Sequence, residues 1–234
     1  MSKLYEALQM ELVPPESGGN LRGSTMPRLA MGSRQSMEAL YQSLENALPG
    51  IARKVVLFSA SRAGEGTTTI VREFALALSL VFRASVLLVD ANSNHGAARA
   101  FGDEEALPLP NLLRGLQASN VERTKQPGVT VTFFDPEVAN GPAGQANGGS
   151  SLGDALREHF DYVLFDAPAL GSSAAAVSLA RHVDGVVIVI DSERTRWPVV
   201  ENTKKAYEST GAKVLGVILN RRAFCVPNWV YKWF

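Results

Sequence analysis

The chain has 234 residues, enough for one domain with an extension or for two small domains. At that length roughly 70% of the unfolded surface can leave water, so no covalent staple is needed. Lys and Arg number 23 and Asp and Glu 23, a balance that speaks against a sequence-independent nucleic-acid binder. The single cysteine, Cys225, excludes an intramolecular disulfide framework and a cysteine-rich metal site; a small apolar residue is its simplest reading.

Met1–Gln9 is amphipathic and carries Glu6, unlike the apolar centre of a signal peptide. No run of ~18 apolar residues exists to span a bilayer. The expectation is a cytoplasmic protein, reaching the inner face of a plasma membrane only through a partner.

Residues 1–35 are expected to form a flexible extension with a short helix. Pro14, Pro15, Gly18, Gly19, Gly23, Pro27 and Gly32 break any longer element. All five methionines (1, 10, 26, 31 and 37) fall in this front end, suiting adaptable contacts with a partner; a plain disordered tail explains them equally well. Residues 36–234 form the folded unit. In residues 36–49, Met37, Leu40, Tyr41, Leu44 and Leu48 share one helix face.

From Lys54 onward, buried strands alternate with helices. Val55–Phe58, Val86–Asp90, Val129–Phe134, Tyr162–Asp166, Gly185–Asp191 and Val214–Asn220 are continuous apolar runs, hence strands. Helices are expected over Thr68–Leu80, Asn111–Leu116, Leu152–His159, Ala174–Arg181 and Pro198–Ser209, and Asn140–Ser151 as an exposed loop. This alternation predicts an α/β fold: a doubly wound, mostly parallel sheet with helices on both faces.

In such a sheet ligands bind at the carboxyl ends of the strands. Four features converge there. Ser59–Thr69 has the outline of a P-loop, G-x-x-x-x-G-K-[ST], but Thr67 stands where the lysine belongs and Ser61 where the first glycine belongs. Gly64, Glu65, Gly66, Thr67 and Thr69 could present backbone N–H groups to an anion, and the Thr68 hydroxyl could touch Mg²⁺. Asp90 and Asp166 each end a strand, as Asp90-Ala-Asn92 and Asp166-Ala-Pro168, and suit a Mg²⁺ ion held directly or through water. Asn220, in Leu219-Asn220-Arg221-Arg222, could pair with a nucleobase edge. The implied ligand is ATP or ADP with Mg²⁺. His95, His159 and His182 have neither ligand spacing nor a neighbouring nucleophile.

Ser59–Thr69, Val86–Asn92, Phe160–Pro168, Val183–Gly185 and Val214–Arg221 together resemble the five blocks of the MinD/ParA-type P-loop ATPases. Within that superfamily the chain is most similar to the bacterial tyrosine autokinases (BY-kinases) of exopolysaccharide synthesis. Their usual phrases are P-G-E-G-K-S, V-L-L-I-D-A-D, Y-D-Y-V-I-I-D-T-P, V-D-G and V-L-G-V-V-L-N. The likeness covers about residues 36–222. It implies ATP·Mg²⁺ chemistry at Asp90 and Asp166, and pairing with a membrane-embedded polysaccharide co-polymerase or chain-length regulator. A homo-oligomer stays open.

The departures are as informative. Asn92 replaces the second acid of D-x-D. The family's oligomerisation motif, E-x-x-R-x-x-R, would fall on Ala39, Gln42 and Glu45. The tyrosine-rich tail is reduced to Tyr231 among Trp229, Trp233 and Phe234, aromatics that could equally cap the core. Arg62 falls where the MinD/ParA branch carries an additional lysine and could reach phosphate oxygens instead.

Three readings follow from the resemblance: a catalytically impaired BY-kinase-like regulator or scaffold of exopolysaccharide synthesis and export; an active tyrosine autokinase of that pathway, labelling Tyr231, Tyr207 or Tyr162; and a MinD/ParA-like ATPase. The first accounts for the simultaneous loss of the lysine, the second acid, the arginine motif and the tyrosine tail.

Overall fold

The computed structural model describes residues 31–92, 96–97, 101, 108–109, 111–112, 128–134, 152–172 and 174–221. Its elements run α1 (Met31–Ala47), β1 (Lys54–Ala60), α2 (Thr67–Leu80), β2 (Val86–Asp90), β3 (Val129–Phe133), α3 (Leu152–Arg157), β4 (Tyr162–Asp166), α4 (Ala174–Leu179), β5 (Gly185–Asp191), α5 (Trp197–Ser209) and β6 (Val214–Asn220). Each of the six expected strands is present. The front helix begins at Met31, earlier than its apolar spacing indicated, and takes in Gly32. The helix after β4 tightens into a 3₁₀ turn over Ala180–His182. Residues 1–30, 113–116, 140–151 and 222–234, with their expected extension, helix end, loop and aromatic tail, lie outside the described residues.

The strands form one sheet in the order β3-β2-β4-β1-β5-β6, and every pairing is parallel. Parallel neighbours need crossover helices, which cover both faces and explain why the strands read as unbroken apolar runs. Alternation along each strand sorts the core into two layers. Val56, Phe58, Leu88, Leu164 and Val189 point to the face covered by α1 and α2, where Leu40, Leu44, Ile70 and Phe74 pack. Val55, Leu57, Val163, Phe165 and Ile188 point to the face covered by α3, α4 and α5, against Leu156, Leu179, Val200 and Tyr207. Each large side chain fully withdrawn from water contributes about 1.5–3 kcal/mol.

Polar contacts close the end opposite the candidate site. Asp161 accepts from the Ser85 backbone N–H and hydroxyl, both at 2.8 Å, joining the starts of β2 and β4. The Ser85 N–H holds this carboxyl below the usual carboxylate range, against the opposing effect of burial. Nearby, Glu45 on α1 accepts from buried Lys54 at 2.9 Å and from the Tyr162 hydroxyl at 2.6 Å. Glu45 occupies one arginine position of the family's oligomerisation motif, and here it ties α1 to β1 and β4.

Candidate functional site

Two glycines shape the loop between β1 and α2. Gly64 and Gly66 have φ of +85° and +91°, a region closed to most side chains. At Gly66 the requirement is also spatial: a Cβ there would sit 2.2 Å from the Asn220 Nδ2. Gly66 caps α2 without a side-chain hydrogen bond. The first-turn N–H groups of Thr67, Thr68 and Thr69 have no partner from within the helix, and the helix dipole adds positive potential there. This is the physics of an anion site.

Register brings the acids together. Asp90 and Asp166 are directly paired positions on β2 and β4, and Phe58, just before the loop, pairs with Asp166 on the other side. Both carboxylates are fully buried, yet their situations differ. Asp90 accepts from the Asn92 N–H at 2.9 Å and the Ala97 N–H at 2.7 Å, so it caps the turn after its own strand. Neither oxygen of Asp166 meets the full geometry of a hydrogen bond with a described residue, although Thr68 and Asn92 lie close enough to act on it. Burial pushes the Asp166 carboxyl up to about 7; the Thr68 side chain opposes this, the charge of Asp90 adds to it, and Asn92 opposes it. Asn92 donates to the Asp166 backbone carbonyl at 3.1 Å, a structural task for the residue replacing the second acid.

Orphaned polar atoms are costly in a protein interior, and here they cluster. Among the described residues, buried side-chain oxygens without a partner belong to Ser61, Thr67, Asp166, Ser192 and Tyr207. The first four sit on the loop or at strand ends beside it, as they would in a cradle for a polar ligand. Thr67 is itself buried, in the lysine's place. Arg62 is exposed, and no described residue pairs with its guanidinium.

Sequence reasoning missed the brace around this loop. Glu65, buried, uses one carboxylate oxygen to accept from the Arg62 N–H at 2.8 Å. Its other oxygen accepts from the Thr195 hydroxyl and, at 3.3 Å, from the Asp191 N–H. Asn220 donates to the Glu65 carbonyl at 2.8 Å and accepts from the Arg221 N–H at 2.9 Å, so the residue expected at a nucleobase edge also supports the loop from beneath. Arg221, in a left-handed backbone conformation with φ +57°, reaches the Asp191 carboxylate at 3.2 Å. The acid ending β5 was visible in the sequence; its partners lie too far along the chain to be read from spacing.

Two of the tyrosines expected as labelling sites are inside. Tyr207 is fully buried and Tyr162 nearly so, its hydroxyl held by Glu45. Tyr231 lies outside the described residues.

The chain is 28% identical over 187 residues to the tyrosine-protein kinase CpsD of Streptococcus agalactiae serotype Ia, covering 77% of this chain and 79% of CpsD. The VpsO kinase domain superposes with a TM-score of 0.63 at 27% identity, over 81% of this chain and 96% of that one. The chain is homologous to the bacterial tyrosine kinases. Its fold is also that of the septum site-determining protein MinD of Pyrococcus horikoshii, solved with Mg-ADP, at a TM-score of 0.52, 20% identity and coverage of 77% and 76%. No protein-family model matches the chain. Among the described residues no helix is long and apolar enough to cross a membrane, and no group of three or more potential metal ligands occurs.

Proposed function

We propose that this tyrosine-kinase homologue works as a catalytically impaired regulator or scaffold in exopolysaccharide synthesis and export, acting through a membrane-embedded co-polymerase. One observation carries the impairment: buried Thr67 stands where an ammonium would meet the β- and γ-phosphates. Losing such a cation in a site closed to water removes several kcal/mol of transition-state stabilisation. The use of Asp90 as a turn cap supports the same reading.

Nucleotide binding is a separate matter from turnover. The orphaned hydroxyls, the open first turn of α2 and the unpaired Asp166 fit ATP or ADP with Mg²⁺. Gly64, Glu65, Gly66, Thr67, Thr68 and Thr69 would hold phosphates through backbone N–H groups, with Arg62 as an exposed cation on the same loop. Thr68, Asp90 and Asp166 would serve the ion, and Asn220 would flank the base. When bound, Mg²⁺ would neutralise phosphate charge. The exposed Arg62, whose guanidinium pairs with no described residue, favours a second reading, an active autokinase in which it replaces the lysine.

A complementation experiment separates the two. Deleting the gene should lower secreted polysaccharide, and a chain carrying Asp166→Asn should restore it. Failure of that variant to restore export, alongside phosphotyrosine on the wild type after ATP·Mg²⁺, would establish the autokinase instead.

A further inference from the structure

Apart from Arg62, the rim beside the loop carries side chains that the nucleotide cradle does not use. Arg194 is 83% exposed and the Arg221 side chain 54%. Trp197 is 51% exposed, the more exposed of the two large apolar side chains at the surface among the described residues. Arg62 and Arg196 are exposed as well. These five come from three separate segments, and the brace fixes the segments to one another. Glu65 joins the Arg62 backbone to Thr195, which lies between Arg194 and Arg196. Arg221 is tied to Asp191, where the loop bearing Arg194 begins.

Asp191 partly neutralises two of these cations, Arg221 at 3.2 Å and Arg194 at 4.0 Å. Glu65 and Asp191 are buried and committed to these contacts, leaving Glu193 as the exposed acid of the row. In a chain with equal numbers of acids and bases, these segments carry four arginines against Glu65, Asp191 and Glu193, and Arg62, Arg196 and the neighbouring Trp197 are exposed. Guanidinium pairs with carboxylate bidentately, and Trp and Arg are the side chains that dominate binding energy at protein interfaces. We propose that Arg62, Arg194, Arg196, Trp197 and Arg221 form a docking surface for an acidic polypeptide segment of a partner protein.

A bilayer fits less well. Anionic lipid asks for an uninterrupted cluster of cations, whereas Glu193 breaks this row and Arg221 is half committed to Asp191. Mixed sign rewards a partner of matching sequence. The proposal goes beyond the regulator reading and needs neither nucleotide nor Mg²⁺.

Fluorescence anisotropy of a fluorescein-labelled peptide of repeating Glu-Glu-Glu-Tyr, titrated with the full chain in the absence of nucleotide, tests it. Binding should weaken roughly tenfold or more in Arg194→Glu/Arg196→Glu and, separately, in Trp197→Ala. It should survive in Lys204→Glu/Lys205→Glu, which removes two exposed cations farther along α5. All variants change exposed residues, and unchanged thermal midpoints would show that they fold. Absence of peptide binding, equal loss in the lysine variant, or equal binding of a DNA duplex would each overturn the proposal. Binding to phosphatidylserine vesicles without binding to the peptide would overturn it in favour of a membrane.

Discussion

Asp90 and Asp166 end adjacent strands in the same register, but the backbone has claimed only the first. A carboxyl this deeply buried is held in its protonated form more readily than in the unfolded chain. With its folded value raised to about 7, the stability it allows is fully present below about pH 4 and is lost as pH rises through about 7. Asp166→Asn removes the charge. The variant should match the wild type near pH 4 and exceed it by about 2–4 kcal/mol at pH 8. Denaturant melts at the two pH values measure this, and a pH-independent difference would contradict the assignment.

Thr67→Lys restores the missing cation at the start of α2. Calorimetry should show affinity for ATP·Mg²⁺ rising about tenfold or more over the wild type. An unchanged affinity would mean that the loop was not limited by the lysine.

Gly66 and Asn220 should be coupled. Gly66→Ala meets both a forbidden φ and the Asn220 amide, costing about 2–4 kcal/mol of stability. Adding Asn220→Ala removes the collision but not the backbone strain. The double variant should therefore be less destabilised than the two single losses sum to, by about 1 kcal/mol or more. Strict additivity in urea melts would deny the contact.

Glu65→Ala leaves the Arg62 N–H, the Asp191 N–H and the Thr195 hydroxyl without their acceptor. The expected loss is about 2–4 kcal/mol, with Glu65→Gln recovering part of it through its remaining carbonyl oxygen. Hydrogen exchange at residues 61–66 and 191–196 should accelerate in both segments together. Acceleration in one segment alone would show that the carboxylate does not join them.

Tyr207 buries a hydroxyl that meets no described residue in full hydrogen-bond geometry, while the nearby Ser59 hydroxyl donates to the Pro168 carbonyl. Tyr207→Phe should leave thermal stability unchanged or raise it by about 1 kcal/mol. Mass spectrometry after incubation with an active tyrosine kinase should find no phosphate on Tyr207 or Tyr162 while the chain is folded. Phosphate on either would require a local opening that the packing does not provide.

What could be read ahead of the structure was whatever the chain writes in short range. Runs such as Val86–Asp90 and Gly185–Asp191 announce buried parallel strands because their apolar stretch is unbroken, and Asp at each tip marks the carboxyl end of the sheet. The Gly64–Gly66 spacing announces a tight turn before a helix. The assignments of Glu65 and Asn220 were less legible. Their type and position were visible, but their partners at Thr195, Asp191 and Gly66 depend on the sheet order bringing β1, β5 and β6 side by side. Glu45 was invisible for the same reason: on α1 it reads as a solvated helix residue, and only packing brings Lys54 and Tyr162 to it. Periodicity reports which face a residue takes, not which distant donor that face will meet.

The brace on the loop bears on how the protein responds to the cell's energy state. A phosphate loop that depends on its ligand for order changes shape when the ATP to ADP ratio falls, and can report that fall to whatever it touches. Here the Glu65 carboxylate and the Asn220 amide hold the loop from within the chain. Little is left for a phosphate to organise, so the face presented to a partner should stay the same in a starved cell and a fed one.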